Sequence, residues 1–129
     1  MNYEIVNLEE KVLVGIKERC SNFDEEINVK IGKLWMSFYE NGIYSEIRGK
    51  VNGKAIGLYT NYSENKMEYD TYVVCEVEEE NKNYEKIVFE KGKYAKFVVN
   101  GNMEDIKKFW VEVWNDKSIP RTFKYDFEE

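Results

Sequence analysis

The chemistry open to this chain is narrowed first by what it lacks: none of its 129 residues is histidine. A Ser-His-Asp or Cys-His nucleophile system therefore has no base, and zinc loses its usual nitrogen ligand. The two cysteines, Cys20 and Cys75, match no metal-binding spacing and read as free thiols of a reducing compartment. Both fall on expected strands and could be neighbours in space. The acidic run Glu76-Val77-Glu78-Glu79-Glu80 reads as a solvated strand end, because nothing in it fixes a coordination geometry. No metal and no cofactor is expected. What stands out is tyrosine: ten of them, with seven Phe and three Trp, make 16% of the chain aromatic. A phenol joins an apolar ring to a polar tip, so tyrosine gathers where apolar surface meets water or a polar ligand. That excess suits a chain whose rings line a cavity as well as a core.

Charge points the same way. With 25 acidic against 19 basic residues the net charge is −6, and no Lys/Arg cluster supplies the cationic face that phosphate contacts need. Direct DNA binding is not expected, and the field favours cationic ligands. The start, Met1-Asn2-Tyr3-Glu4, has no basic region leading into an apolar stretch. No apolar run approaches membrane-spanning length, so a cytoplasmic location is expected.

These groups need a scaffold, and the length, 43% hydrophobic and 34% charged content suit one domain over residues 1–129. Val12-Leu13-Val14-Gly15-Ile16 is β-branched and apolar, a buried strand running on to Cys20. Ser21 and Asn22 offer caps for a helix over 23–40, with Asp24, Glu25 and Glu26 in its first turn. Phe23, Ile27, Ile31, Leu34 and Phe38 would form its inner face, and Asn41-Gly42 its end. A short strand over 56–59 and a turn over 62–66 precede a long strand over 69–77. Tyr69, Thr71, Val73, Cys75 and Val77 fall on one face of that strand, Tyr72 and Val74 on the other, so it should be central. Strands over 87–89 and 94–99 then lead to a helix over 102–116 with Met103, Ile106, Trp110 and Val113 inward. Ser118-Ile119-Pro120 breaks it. The last strand, 122–128, sets Phe123, Tyr125 and Phe127 against Lys124, Asp126 and Glu128. Strands, helix and strands, twice over, predict a duplicated α+β unit with an antiparallel sheet.

Several stretches carry a resemblance. They are Leu34-Trp35 with Phe38, then Gly57-Leu58-Tyr59-Thr60-Asn61-Tyr62, and Tyr69-Asp70-Thr71-Tyr72. Gly92 to Gly101 follows, then Trp110-Val111-Glu112-Val113-Trp114, Arg121, and Asp126-Phe127-Glu128. In this order the chain resembles, over nearly its whole length, the GyrI-like small-molecule (effector) binding domains also found in AraC-type transcription regulators. The resemblance implies two strand-helix-strand-strand halves related by a pseudo-twofold axis, with an aromatic cleft that holds the Glu of the Phe-Glu pair, Glu128. A carboxylate among rings is costly to desolvate, and a lipophilic cation relieves that cost. The implied ligand is thus an amphipathic aromatic cation, with Glu128 as anchor and Trp35, Tyr59, Tyr72, Phe97 and Trp110 as cage or wall. Phe97 and Trp110 also fit plain core packing; Tyr59 and Tyr72 have polar tips.

Two departures from the family pattern bear on function. No helix-turn-helix accompanies the domain, which implies a stand-alone sensor or sequestering module. The family pattern also runs on into a last strand where this sequence stops, at Glu129. Either this form is truncated or its last strand is supplied otherwise, and an open edge there could recruit a strand from a partner chain. Two alternatives follow from relatives: a hydrolase of reactive compounds, with Glu128 as base and Tyr72 as hydrogen-bond donor, and a gyrase-inhibitor-like protein-binding domain.

Overall fold

The computed structural model describes residues 3–129 and every side chain among them except that of Met103. Met1, Asn2 and the Met103 member of the expected helix stripe therefore lie outside the described residues. In chain order the elements are β1 (Glu4–Leu8), β2 (Lys11–Ser21), α1 (Ile27–Glu40), the single turn α2 (Ile43–Glu46) and β3 (Ile56–Thr60). After them come β4 (Glu68–Glu76), β5 (Glu85–Phe89), β6 (Gly92–Lys96), α3 (Met103–Asn115) and β7 (Tyr125–Glu128). All paired strands are antiparallel, so the α+β class with an antiparallel sheet holds. The chain's contacts divide it into two compact units: residues 10–90 with 123–129, and residues 3–9 with 91–122.

The larger unit is a five-stranded sheet in the order β5-β2-β4-β3-β7. Its middle strand is β4, as the apolar residues on both its faces require. Partners opposite one another share a face, so the register sorts every side chain. Val14 pairs with Cys75 and Ile16 with Val73, and this face receives α1. Leu34 and Phe38 of the helix join Val14, Val73, Cys75, Val77, Ile47 and Ala55 in the buried core. The other face carries Leu13, Leu58, Tyr72 and Val74, all buried. The sheet curls toward this side. Phe89 at one edge meets Tyr125 and Phe127 at the other, ring centroids 5.1 and 5.2 Å apart. The close approach of β2 to β4 also needs Gly15: a Cβ there would stand 2.0 Å from the Val73 carbonyl oxygen.

Helix α1 starts four residues later than the sequence suggests. Ser21 and Asn22 act in the preceding turn instead: Ser21 Oγ accepts from the Phe23 amide and Asn22 Oδ1 from the Tyr69 hydroxyl. Asp24 accepts from the Glu26 amide, so the acidic residues precede the first helical turn, and Phe23 is exposed. Asn41 and left-handed Gly42 end the helix as expected.

In the smaller unit β1 pairs with β6, a ribbon that sequence periodicity does not reveal because most of β1 is exposed. Strand β6 stops at Lys96, so Val98 and Val99 lie outside it. Helix α3 opens on a capping box: Asn102 accepts from the Asp105 amide, and the Asp105 carboxylate accepts from the Asn102 amide. Val113 is buried, and Phe97 packs between Tyr3 and Phe109, at 5.2 and 5.1 Å.

The cysteines are both buried and free, but they are not neighbours. Cys20 pairs with Tyr69 and Cys75 with Val14, which puts them six ladder positions, about 20 Å, apart. Burial pushes both thiols above their ordinary range, which lowers the reactive thiolate fraction. At pH 8 the native protein is expected to react slowly with a thiol reagent and the denatured protein to give two equivalents. Fast native reaction would contradict the buried placement.

Candidate functional site

The helix-facing side of the large sheet ends in a group of carboxylates and phenols. Glu128 on β7 lies opposite Gly57 on β3, and Asp126 lies opposite Tyr59. Spaced two apart, the two carboxylates share this face. Each accepts a phenol hydrogen bond. Tyr59 donates its hydroxyl to Glu128 Oε1 at 3.2 Å, and Tyr62 donates to Asp126 Oδ2 at 2.6 Å. Tyr69, from β4, joins them edge-on to Tyr59 with centroids 5.9 Å apart and 5.8 Å from Tyr62. Its own hydroxyl is fixed by Asn22 at 2.7 Å.

Trp35 comes down from α1 onto the same spot. A Cβ built on Gly57 would lie 2.9 Å from Trp35 Cζ2, 3.3 Å from Glu128 Cγ and 3.4 Å from Glu128 Oε1. The indole edge and the carboxylate therefore converge where strand β3 has no side chain. Behind it the indole stacks on Tyr39, centroids 6.4 Å apart and planes 23° from parallel.

Electrostatics keep the phenols as donors. Desolvation, followed by the Glu128 charge and the hydrogen bond to it, pushes the Tyr59 hydroxyl far above its usual range. Desolvation lifts Tyr69 to about 12. Tyr59 is thus a fixed donor to Glu128 at any physiological pH.

Of the residues expected from the sequence, Trp35, Tyr59 and Glu128 come together in this way. Tyr72 does not. It pairs with Leu58 and Lys17, one register step from Thr71, and so faces the inside of the curled sheet, with Lys17 Nζ 5.9 Å from its ring. The sheet itself separates Tyr72 from Glu128, which removes the expected base-and-donor pair for hydrolysis. Phe97 and Trp110 belong to the smaller unit, Phe97 between two rings and Trp110 partly exposed on α3. Sequence reasoning missed Asp126, Tyr62 and Tyr69. For Asp126 the signal was present, since alternation along 122–128 already put it on the face of Glu128. Two open surface hollows hold none of the expected residues: one of about 380 Å³ at Ser63, Glu64, Asn65 and Glu68, and one of about 440 Å³ beside Lys17 and residues 82–86.

Comparison with known proteins gives a consistent picture. Residues 4–129 match the family model of the integron-associated effector binding protein. An integron cassette protein from the mobile metagenome of Vibrio cholerae is 30% identical, with a TM-score of 0.77 over 98% of this chain and 86% of that one. The protein SAV2435, solved bound to tetraphenylphosphonium, is 23% identical with a TM-score of 0.71 over 88% of this chain and 71% of that one. A protein of Staphylococcus aureus MU50 shares the fold at 21% identity and a TM-score of 0.76, over 98% and 84% of the two chains. No curated protein sequence matches the chain.

The raised phenols carry a pH signature. An unfolded tyrosine ionises near its ordinary value of about 10, whereas folded Tyr69 holds its proton to about 12. Above the unfolded value the unfolded chain binds fewer protons, so stability falls as pH rises, by up to ~1.4 kcal/mol per pH unit for each such phenol. Urea midpoints are expected to show no contribution from Tyr69 below pH 10 and a decline above it that is shallower in Tyr69→Phe. An identical decline in that variant would remove Tyr69 as a source.

Proposed function

The chain belongs to the integron-associated effector-binding protein family, and from that premise we propose that it binds amphipathic aromatic cations at the helix-facing end of the large sheet, acting as a sensor or sequestering module. A small-molecule partner follows from the family. The finer reading, a cation anchored by Glu128, rests on one observation: a carboxylate held by the hydroxyl of half-buried Tyr59 and flanked by the Trp35 indole. A carboxylate placed among rings is poorly solvated, and a cation that brings its own apolar surface replaces the lost water while its charge is attracted by carboxylate and π-face together. The net charge of −6 adds long-range attraction for such a ligand. Support also comes from SAV2435, a protein of this fold that holds tetraphenylphosphonium, a cation made of four aromatic rings. Among the described residues no helix is long and apolar enough to cross a membrane.

Glu128→Gln keeps the shape of the side chain and removes its charge. It is expected to weaken tetraphenylphosphonium binding by about 1–2 kcal/mol, the scale of a partly desolvated charge contact. Triphenylphosphine oxide, aromatic but neutral, is expected to lose much less. Titration calorimetry of both ligands against both proteins separates the cases. Equal losses would mean a packing defect, and undiminished cation binding would reduce Glu128 to a bystander.

A further inference from the structure

We propose that Gly57 is the specificity-determining residue of this site, selecting ligands that present a positive charge and an aromatic ring together. The proposal rests on the reading of Glu128 as anion and adds what makes that anion selective. Gly57 is the cross-strand partner of Glu128, and its missing side chain leaves one space that two groups share. Trp35 Cζ2 and Glu128 Cγ lie 2.9 and 3.3 Å from where a Cβ would be. A side chain at this position would meet both, so the indole and the carboxylate stand side by side over Gly57, where a ring and an anion can act together on a cation. Charge and ring of the ligand then meet anion and π-face side by side.

Neither partner is a loose chain end able to step aside. Glu128 is tied by the β3–β7 ladder and by Tyr59. Trp35 is fixed on α1, beside the buried Leu34, and is backed by Tyr39. A methyl group at position 57 must therefore push the indole edge and the carboxylate apart. The charge at the site would remain, but its alignment with the ring would be lost. Selectivity is thus predicted to depend on a residue that has no side chain to offer the ligand.

Gly57→Ala is expected to lower tetraphenylphosphonium affinity roughly tenfold while changing triphenylphosphine oxide affinity little, the order of one lost cation–π or charge contact. Trp35→Phe shortens the ring that the methyl would strike. In that background the Gly57→Ala penalty on the cation is expected to shrink severalfold, because the closer of the two contacts, 2.9 Å to the indole, is relieved. This comparison, double variant against Trp35→Phe alone, also holds if Gly57→Ala by itself does not fold. A penalty that falls equally on cation and neutral ligand overturns the role of Gly57, as does one that persists undiminished in the Trp35→Phe background. If Glu128→Gln abolishes the discrimination and Gly57→Ala preserves it, Gly57 alone is refuted. A wild-type protein that does not bind tetraphenylphosphonium refutes both readings.

Discussion

The pairing of Gly57 with Glu128 across β3 and β7 fixes where the other groups of the site can stand. Strand geometry sends alternate residues to opposite faces, so this one register decides that Glu128 and Asp126 look toward α1 while Phe127 and Tyr125 look into the curl of the sheet. A slip of one residue would bury both carboxylates among Leu13, Leu58, Val74 and Phe89, where no charge could be accommodated at tolerable cost. The hydrophobic demand of the curled interior thereby places the polar end of the site. Phe127 is the residue that enforces it: ring contact with Phe89 at 5.2 Å holds β7 in register, and Glu128, its neighbour, is carried to the opposite side.

The rest of the site is built on that face. Helix α1 docks through Leu34 and Phe38, and Trp35, next to Leu34 in sequence, is carried over Gly57. The hairpin of β3 and β4 brings Tyr59, Tyr62 and Tyr69 into one cluster. Their hydroxyls are committed to Glu128, Asp126 and Asn22, which fixes the orientation of the rings. A polar group fixed in advance loses less freedom on binding than one that must be recruited. The phenol beside Glu128 is a donor held firmly protonated, and the second expected phenol, Tyr72, lies across the sheet.

Much of this was legible in the chain. Strands β2 and β4 showed themselves through runs of β-branched and apolar residues, and α3 through its Asn102 start and apolar spacing. The matched stretches from Leu34 to Glu128 carried the family. What could not be read locally were pairings. Tyr72 sat on the opposite face of its strand from Tyr69 even in the sequence pattern, but whether Tyr59 and Glu128 joined one or the other depended on inter-strand register, which no local periodicity encodes. Strand β1 was invisible because Glu4–Leu8 is short, largely exposed and ordered by pairing with β6. The helix starts later than its cap residues suggest because Ser21 and Asp24 bond within the turn between β2 and α1, while Asn22 is taken by Tyr69, far along the chain.

The central claim is that Glu128 is the group a cationic ligand meets. Side-chain carboxylate resonances of protein labelled with carbon-13 in glutamate, followed by NMR during addition of tetraphenylphosphonium, test it directly. The resonance of Glu128, assigned by its loss in Glu128→Gln, is expected to shift and to saturate at the same ligand concentration as calorimetric binding. Saturable binding that leaves this resonance in place while other glutamates move would show that the cation sits elsewhere and would contradict the account.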